Sequence, residues 1–355
     1  MTAALDILLT RSLHSRLSDL DLDNIPFGKH YTDHMLEVDF LDGQWRQPVI
    51  KPYQHLSLAP SMAALHYGQA IFEGIKAYVD ADGNPRIFRP LDNFYRFNIS
   101  AERMQMPVVP EDIFMEGMKQ LVSLDRAWIP NKKDHSLYIR PFMFSTDELI
   151  GVRPSDNYKF LIILSPSGPY YSAPMRIHVE EQYIRAAPGG VGYAKAAGNY
   201  GAAMYATAQA RKHGYDQVLW MDGLERKYVQ ECGTMNVFFI IGDTAITPSL
   251  EQGTILNGVT RQSVITLLQE AHLRVEERPL SLDEIVEAYD QGTLKEVFGT
   301  GTAATISLIK ELACRERELT FEVEKWQYAP AIKQKLMDIR AGRIPDLHGW
   351  MMPVG

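Results

Sequence analysis

The stretch APGGVGYAKAAGNYGAAMYATAQA (187–210) holds one charged residue, Lys195, among Gly, Ala, aromatic and small polar residues. A lone lysine in such a run is expected in a poorly solvated place. Desolvation disfavours the ammonium, lowers its pKa and leaves a usable amine. An amine of that kind can form a Schiff base with a carbonyl cofactor. The alternative is a surface lysine whose stem lies on apolar residues while the charge reaches water. Asn199 is a candidate cap for a helix running from there to about His213, with Gly214 as its stop. Tyr200 then stands near a helix amino terminus, where the dipole also disfavours a protonated amine. A phenol there serves either to hydrogen-bond a cofactor ring oxygen or to pack the start of the helix.

Working outward, QVLWMDG (217–223) and NVFFIIGDTAITP (236–248) read as strands, the second folding over Gly242-Asp243. Glu231 lies in YVQECGTMNVFFII (228–241), against an apolar strand. A carboxylate so placed needs a partner or becomes protonated, unless it is simply a solvated strand end. A protonated pyridine nitrogen would be such a partner, and Thr234 and Asn236 follow closely enough to add hydrogen bonds. LNGVTRQ (256–262) sets a Gly-containing turn at the mouth of an amphipathic helix. The backbone N–H groups and the Thr260 hydroxyl suit a phosphate, although helix capping explains the turn equally well. GTGTAAT (299–305) is a second anion nest and does not fit a Walker A loop. The segment EVFGTGTAATISLIKEL (296–312) predicts a strand, a Gly-rich turn and then a helix. SLDEIVEAYDQG (281–292) predicts a helix with a capping box, Ser281 to Glu284.

In the amino-terminal half, residues 1 to about 30 read as an irregular lead-in. HMLEVDF (34–40) and GQWRQPVI (43–50) alternate around Asp42-Gly43, a hairpin signal. Residues 61–75 read as helix then turn. PRIFRPLDNFYRFNISAERM (85–104) predicts a strand and a helix capped near Asp92, and SLYIRPFMF (136–144) and YKFLIILSPSG (158–168) predict strands. SPSGPYYSAP (165–174) concentrates Ser, Pro and Gly. The expected plan is a small domain over 1–165, a linker over 166–175 and a large domain over 176–355. Both halves mix helices and strands, an α+β or mixed α/β class without strict βαβ repetition.

Composition is that of a globular protein: 355 residues, 46% hydrophobic and 23% charged. A net charge of −8 without a long basic run argues against nucleic acid. Lack of a long uncharged apolar stretch argues against a membrane span. An acidic amino terminus argues against export signals. Two cysteines, Cys232 and Cys314, suit a reduced cytoplasmic setting, and His/Cys spacing offers no zinc site.

Eight segments in order carry a resemblance: FGKHYTDHMLEVDF, LHYGQAIFEGIKAY, SLYIRPFMF, LIILSPSGPYY, YAKAAGNYG, QECGTMNVF, ILNGVTRQS and FGTGTAATI. With them the chain, from about Phe27 to about Leu336, resembles the branched-chain amino acid aminotransferases. These belong to the fold-type IV pyridoxal phosphate enzymes, with a D-amino acid aminotransferase-like architecture. The resemblance implies pyridoxal 5′-phosphate as cofactor and amino acids with 2-oxo acids as substrates. It implies Lys195 as the Schiff-base lysine and proton shuttle, Tyr200 on the phenolic oxygen and Glu231 on the ring nitrogen. It also implies Arg96 on the phosphate, although a helix-surface arginine is the plain alternative. Arg185 belongs to the cofactor shell, Leu256 packs on the ring, and Gly258, Val259, Thr260 and Thr302 hold phosphate. Thr302 and Ala303 take the substrate carboxylate.

Phe27, Phe72, Tyr138 and Tyr170 match positions lining an apolar pocket, although core packing explains any single aromatic. Arg140 matches the position that meets the distal carboxylate of glutamate, and shares a strand face with Tyr138. Tyr67 and Val152 match positions supplied by a neighbouring subunit, so a homodimer with shared sites is implied. The redox CxxC of the mammalian form is replaced here by Ala304 and Ser307, so no thiol switch is expected there. A D-amino acid transaminase or aminodeoxychorismate lyase fits less well, because those relatives lack the LHYGQAIFEGIKAY to SLYIRPFMF pattern. A non-catalytic cofactor-binding protein would not need Lys195, Tyr200, Glu231 and Arg140 together.

Overall fold

The computed structural model describes residues 5–171 and 173–355. Ser172, within the expected linker, and the first four residues lie outside the described residues. The chain divides into two compact units. The first comprises residues 5–170, 194–197 and 337–355, and the second residues 171–193 and 198–336.

The first unit opens with β1 (Leu8–Leu9) and short 3-10 turns, then β2 (His34–Leu41), β3 (Gln44–Trp45) and β4 (Val49–Pro52). Asp42 and Gly43, with φ of 53° and 73°, make the tight turn that the Asp-Gly pair predicts. Next come α1 (Ala63–Tyr67), β5 (Ala70–Phe72), β6 (Ile75–Val79), β7 (Pro85–Phe88), α2 (Pro90–Arg103), α3 (Glu111–Leu124), β8 (Ser136–Ser145) and β9 (Tyr158–Ser167). The sheet runs β1-β4-β2-β9-β8-β6-β7, with β5 also on β8. Helix α2 starts at Pro90, not at a cap on Asp92. Arg89 is its N-cap, in the left-handed region, and Asp92 instead receives a forked Arg89 guanidinium at 2.9 and 3.0 Å. Proline suits that first helical position because its missing N–H has no helical partner anyway.

Helices α2 and α3 bury Phe94, Phe97, Ala101, Phe114, Met118 and Leu121 against Leu36, Phe160 and Ile162 of the sheet. A Cβ on Gly117 would lie 2.6 Å from Leu36, so glycine sets the closeness of this packing. With the apolar stripe of α2 inward, Asn93, Arg96 and Ser100 form a second, polar stripe at helical spacing.

The second unit comprises β10 (Met175–Glu180), α4 (Ala197–Lys212), β11 (Gln217–Met221), β12 (Val229–Cys232), β13 (Asn236–Ile241), β14 (Thr244–Thr247), α5 (Val259–Glu270), β15 (Arg274–Glu277), α6 (Leu282–Asp290), β16 (Leu294–Gly301), β17 (Thr305–Cys314), β18 (Arg317–Thr320) and α7 (Tyr328–Arg340), apart from Ala197 and residues 337–340, which belong to the first unit. Its sheet order is β12-β11-β10-β17-β16-β13-β14-β15, with β10 parallel to both β11 and β17. Helix α4 begins two residues before Asn199, whose side chain donates to the Val191 carbonyl instead of capping. It stops where expected: Gly214 has φ 84°, and Tyr215 N–H returns to Ala210. Ser281 accepts from Glu284 N at 3.1 Å, as its position predicts.

The expected helix after the Gly-rich turn is strand β17. Its β-branched Thr305 and Ile306 pair antiparallel with β16, and Ile309 pairs parallel with β10. The carboxyl end also departs from the expected plan: β19 (Met351–Pro353) pairs with β7, so residues 337–355 belong to the first unit. Among the described residues no helix is long and apolar enough to cross a membrane.

Candidate active site

Lys195 is carried by the first unit. Its N–H donates to Ser100 Oγ at 2.9 Å, and its carbonyl accepts from Phe72 N at 3.1 Å. Ala196 forms a bridge with Ile71. Residues 194–197 are thus stitched to β5 and to the polar stripe of α2. The side chain is half-buried, with Nζ 4.9 Å from the centre of the Phe72 ring.

Beside it stands Glu73, fully buried, a residue to which the sequence reading gave no role. Arg96 clasps it with two bonds, Nε to Oε1 at 2.7 Å and Nη2 to Oε2 at 2.8 Å, and Asn93 adds a bond at 2.7 Å. Burial pushes the Glu73 carboxyl up, but the Arg96 and Lys195 charges and the Arg96 and Asn93 bonds outweigh it and hold it below the usual range. The signal for Glu73 was its place in the apolar run IFEGIKAY, where a carboxylate needs a partner. Arg96 is therefore no helix-surface arginine: it is 8% exposed.

Phe72 carries a second cation on its ring. Arg140 Cζ lies 4.6 Å from the Phe72 centroid and 5.2 Å from that of Tyr138, and Arg140 Nη2 donates to the Tyr138 hydroxyl at 3.0 Å. Phe27 packs edge-on to Tyr138 at 4.9 Å and to Tyr170 at 5.0 Å. Among the described residues Arg140 has no acidic partner, and its Nε is buried without a hydrogen bond. Tyr67 and Val152 stand apart from this cluster, 42% and 90% exposed, with Leu65 and Ile150 also exposed.

In the second unit the 254–258 turn is held by four side chains. Glu231, 4% exposed, accepts from Leu256 N at 2.7 Å, and Asn236 donates to the Leu256 carbonyl at 2.8 Å. Gln230 bonds Thr254 Oγ1, and Arg185 donates to the carbonyls of Gly192 and Thr254. Arg185 Nε lies 3.4 Å from Glu231 Oε2. The turn leads into α5, whose N-cap, Gly258, supplies no side-chain cap. A Cβ there would fall 2.1 Å from Asn236 Oδ1, so glycine lets the backbone approach Asn236. Val259 and Thr260 open the helix, buried. Tyr200 lies half-buried in the first turn of α4, and Thr234 is exposed on the turn before β13. Thr302 and Ala303 form the β16–β17 turn, where Met235 approaches Gly299 and Gly301. Cys232, beside Glu231, is fully buried, and burial with the Glu231 charge pushes its thiol far up, which makes it a poor nucleophile.

A buried carboxylate held beside a guanidinium, and a glycine-capped helix mouth, fit a cationic ring nitrogen and a phosphate respectively. The sequence pattern of Amino-transferase class IV matches residues 70–312, which defines the class of protein. The chain is 44% identical over 340 residues to branched-chain-amino-acid transaminase 1 of Bacillus subtilis, covering 94% of this chain and 95% of that protein. The structure resembles Escherichia coli branched-chain amino acid aminotransferase with TM-score 0.74 at 27% identity, covering 90% of this chain and 99% of that one. It also resembles the branched-chain aminotransferase of the thermophilic archaeon Thermoproteus uzoniensis, solved with norvaline, with TM-score 0.73 at 25% identity, covering 90% and 99%. The chain belongs to the branched-chain-amino-acid aminotransferases, within the fold-type IV pyridoxal phosphate enzymes.

Proposed function

We propose that this protein moves the amino group between leucine, isoleucine or valine and 2-oxoglutarate, giving branched-chain 2-oxo acids and glutamate, with pyridoxal 5′-phosphate as cofactor. The carrying observation is Arg140: a guanidinium without an acidic partner among the described residues, laid on the faces of Phe72 and Tyr138. One wall then offers aromatic surface to a branched apolar side chain and a charge to the distal carboxylate of glutamate.

Pyridoxal 5′-phosphate, when bound, would supply an electron sink and a carrier for the amino group. Lys195 Nζ is the amine that would hold the cofactor at its aldehyde carbon and would carry the proton to and from the substrate Cα. Glu231 holds the ring-nitrogen proton, and Tyr200 donates to the ring oxygen. Arg96, with Gly258, Val259, Thr260 and Thr302, receives the phosphate, while Leu256 packs on the ring. The Thr302 and Ala303 N–H groups receive the substrate α-carboxylate. A homodimer sharing its sites accounts for the exposed Leu65, Tyr67, Ile150 and Val152, an apolar set better suited to an interface than to water.

The cofactor-loaded protein should absorb in the visible, and leucine should move that band toward the ultraviolet as the amino group is transferred. A spectrum unmoved by leucine, isoleucine and valine would overturn the proposal. Arg140→Ala should lower kcat/KM for glutamate by about 100-fold, the scale of an unpaired substrate charge, and that for leucine far less. Equal losses would give Arg140 a structural role.

A further inference from the structure

Strands β5 and β6 both pair with β8, and the chain steps from one to the other at Glu73 and Gly74. At that step Glu73 N donates to the Pro141 carbonyl at 2.7 Å, and the Glu73 side chain turns inward to Arg96. Gly74 is left with its bare Cα against Tyr138. A Cβ at Gly74 would lie 2.1 Å from the Tyr138 hydroxyl oxygen and 2.9 Å from Cζ. Neither side gives way freely. Gly74 N is bonded to Glu73 Oε2 at 3.1 Å and its carbonyl to Asn93 at 3.4 Å, while Phe27 packs on the Tyr138 ring. Gly74 is outside the left-handed region, so alanine meets no backbone strain there, only the tyrosine.

We propose that Gly74 is a positioning residue for substrate choice: its missing Cβ seats the Tyr138 hydroxyl against Arg140 and so aims the guanidinium at a substrate's side-chain carboxylate. This rests on the reading of Arg140 given above. The hydroxyl accepts from Arg140 Nη2 at 3.0 Å, and this bond with the two aromatic faces fixes the guanidinium. Restoring ordinary contact with an alanine Cβ requires the oxygen to move by about 1 Å, enough to break that bond. Arg140 then loses its aim, while the aromatic surface for an apolar side chain stays in place.

The test compares Gly74→Ala, Tyr138→Phe and the double variant in the cofactor-loaded protein. Gly74→Ala should raise the ratio of kcat/KM for leucine to that for glutamate about tenfold, mainly through the glutamate KM. It should weaken glutarate, measured by titration calorimetry, about tenfold and 4-methylvalerate less than threefold. Tyr138→Phe removes the hydroxyl without touching Gly74 and should raise the ratio similarly, which keeps the test valid if Gly74→Ala misfolds. In the Tyr138→Phe background Gly74→Ala should change the ratio less than twofold, because both changes remove one bond. An unchanged ratio in either single variant, or multiplicative effects in the double, would overturn the assignment of Gly74. A wild-type protein that neither transaminates leucine nor binds glutarate would instead overturn the reading of the site.

Discussion

Lys195→Ala should abolish transamination, with a fall of about 10⁴-fold in single-turnover rate with leucine, while the protein stays folded. The two expectations separate because of how the residue is anchored. The bonds to Ser100 and Phe72 and the bridge through Ala196 are all main-chain contacts at residues 195 and 196, and alanine keeps them. The side chain gives the fold its contact with the Phe72 ring and its charge near Glu73. A cation–π contact of a half-buried lysine contributes about 1–2 kcal/mol, so the urea midpoint should move modestly and the protein stay folded. On the roles proposed for Lys195, chemistry would lose both the amine that holds the cofactor and the base at the substrate Cα. Millimolar methylamine should restore part of the rate, because a small free amine can carry the same proton. Substantial residual turnover without added amine would show that another group does the proton transfer.

How far the sequence led to this site depended on whether a signal was local. The Asp42-Gly43 hairpin, the Ser281 cap and the Gly214 stop are fixed by single residues whose conformational needs are short-range, and each is found where its chemistry requires. The start of α2 was misplaced because Asp92 is an equally good cap by type, and only the fork from Arg89 shows its other use. Strand β17 was misread as helix because its pairing with β10 comes from more than a hundred residues away, and tertiary pairing overrides local propensity. The same distance hid the return of residues 337–355 to the first unit and the union of Lys195 with β5 and α2. Arg140 and the aromatics were named through resemblance. Their stacking around Phe72, and the glycine that seats Tyr138, could be read only from coordinates.

Glu73→Gln should destabilise the cofactor-free protein by about 3–5 kcal/mol, the usual cost of stripping one partner from a buried ion pair. The substitution preserves shape and leaves Arg96, 8% exposed, without the charge it clasps at 2.7 and 2.8 Å. The acid side of the stability curve gives a second reading. Burial raises the Glu73 carboxyl, yet Arg96 and Lys195 hold it below its usual range. A depressed folded pKa contributes stability above the unfolded value, about 4.3, that is lost as pH falls through the folded one. The gap between wild type and variant should therefore be full at neutral pH and narrow below about pH 4. The cofactor decides what Arg96 is for. If Arg96 receives the phosphate, pyridoxal phosphate brings an anion to its guanidinium in place of the Glu73 charge, and the deficit should shrink by at least about 1 kcal/mol on loading. Inorganic phosphate should do the same more weakly. A deficit identical with and without the cofactor would mean that Arg96 serves the buried pair alone and that the phosphate is held by the α5 amino terminus without it.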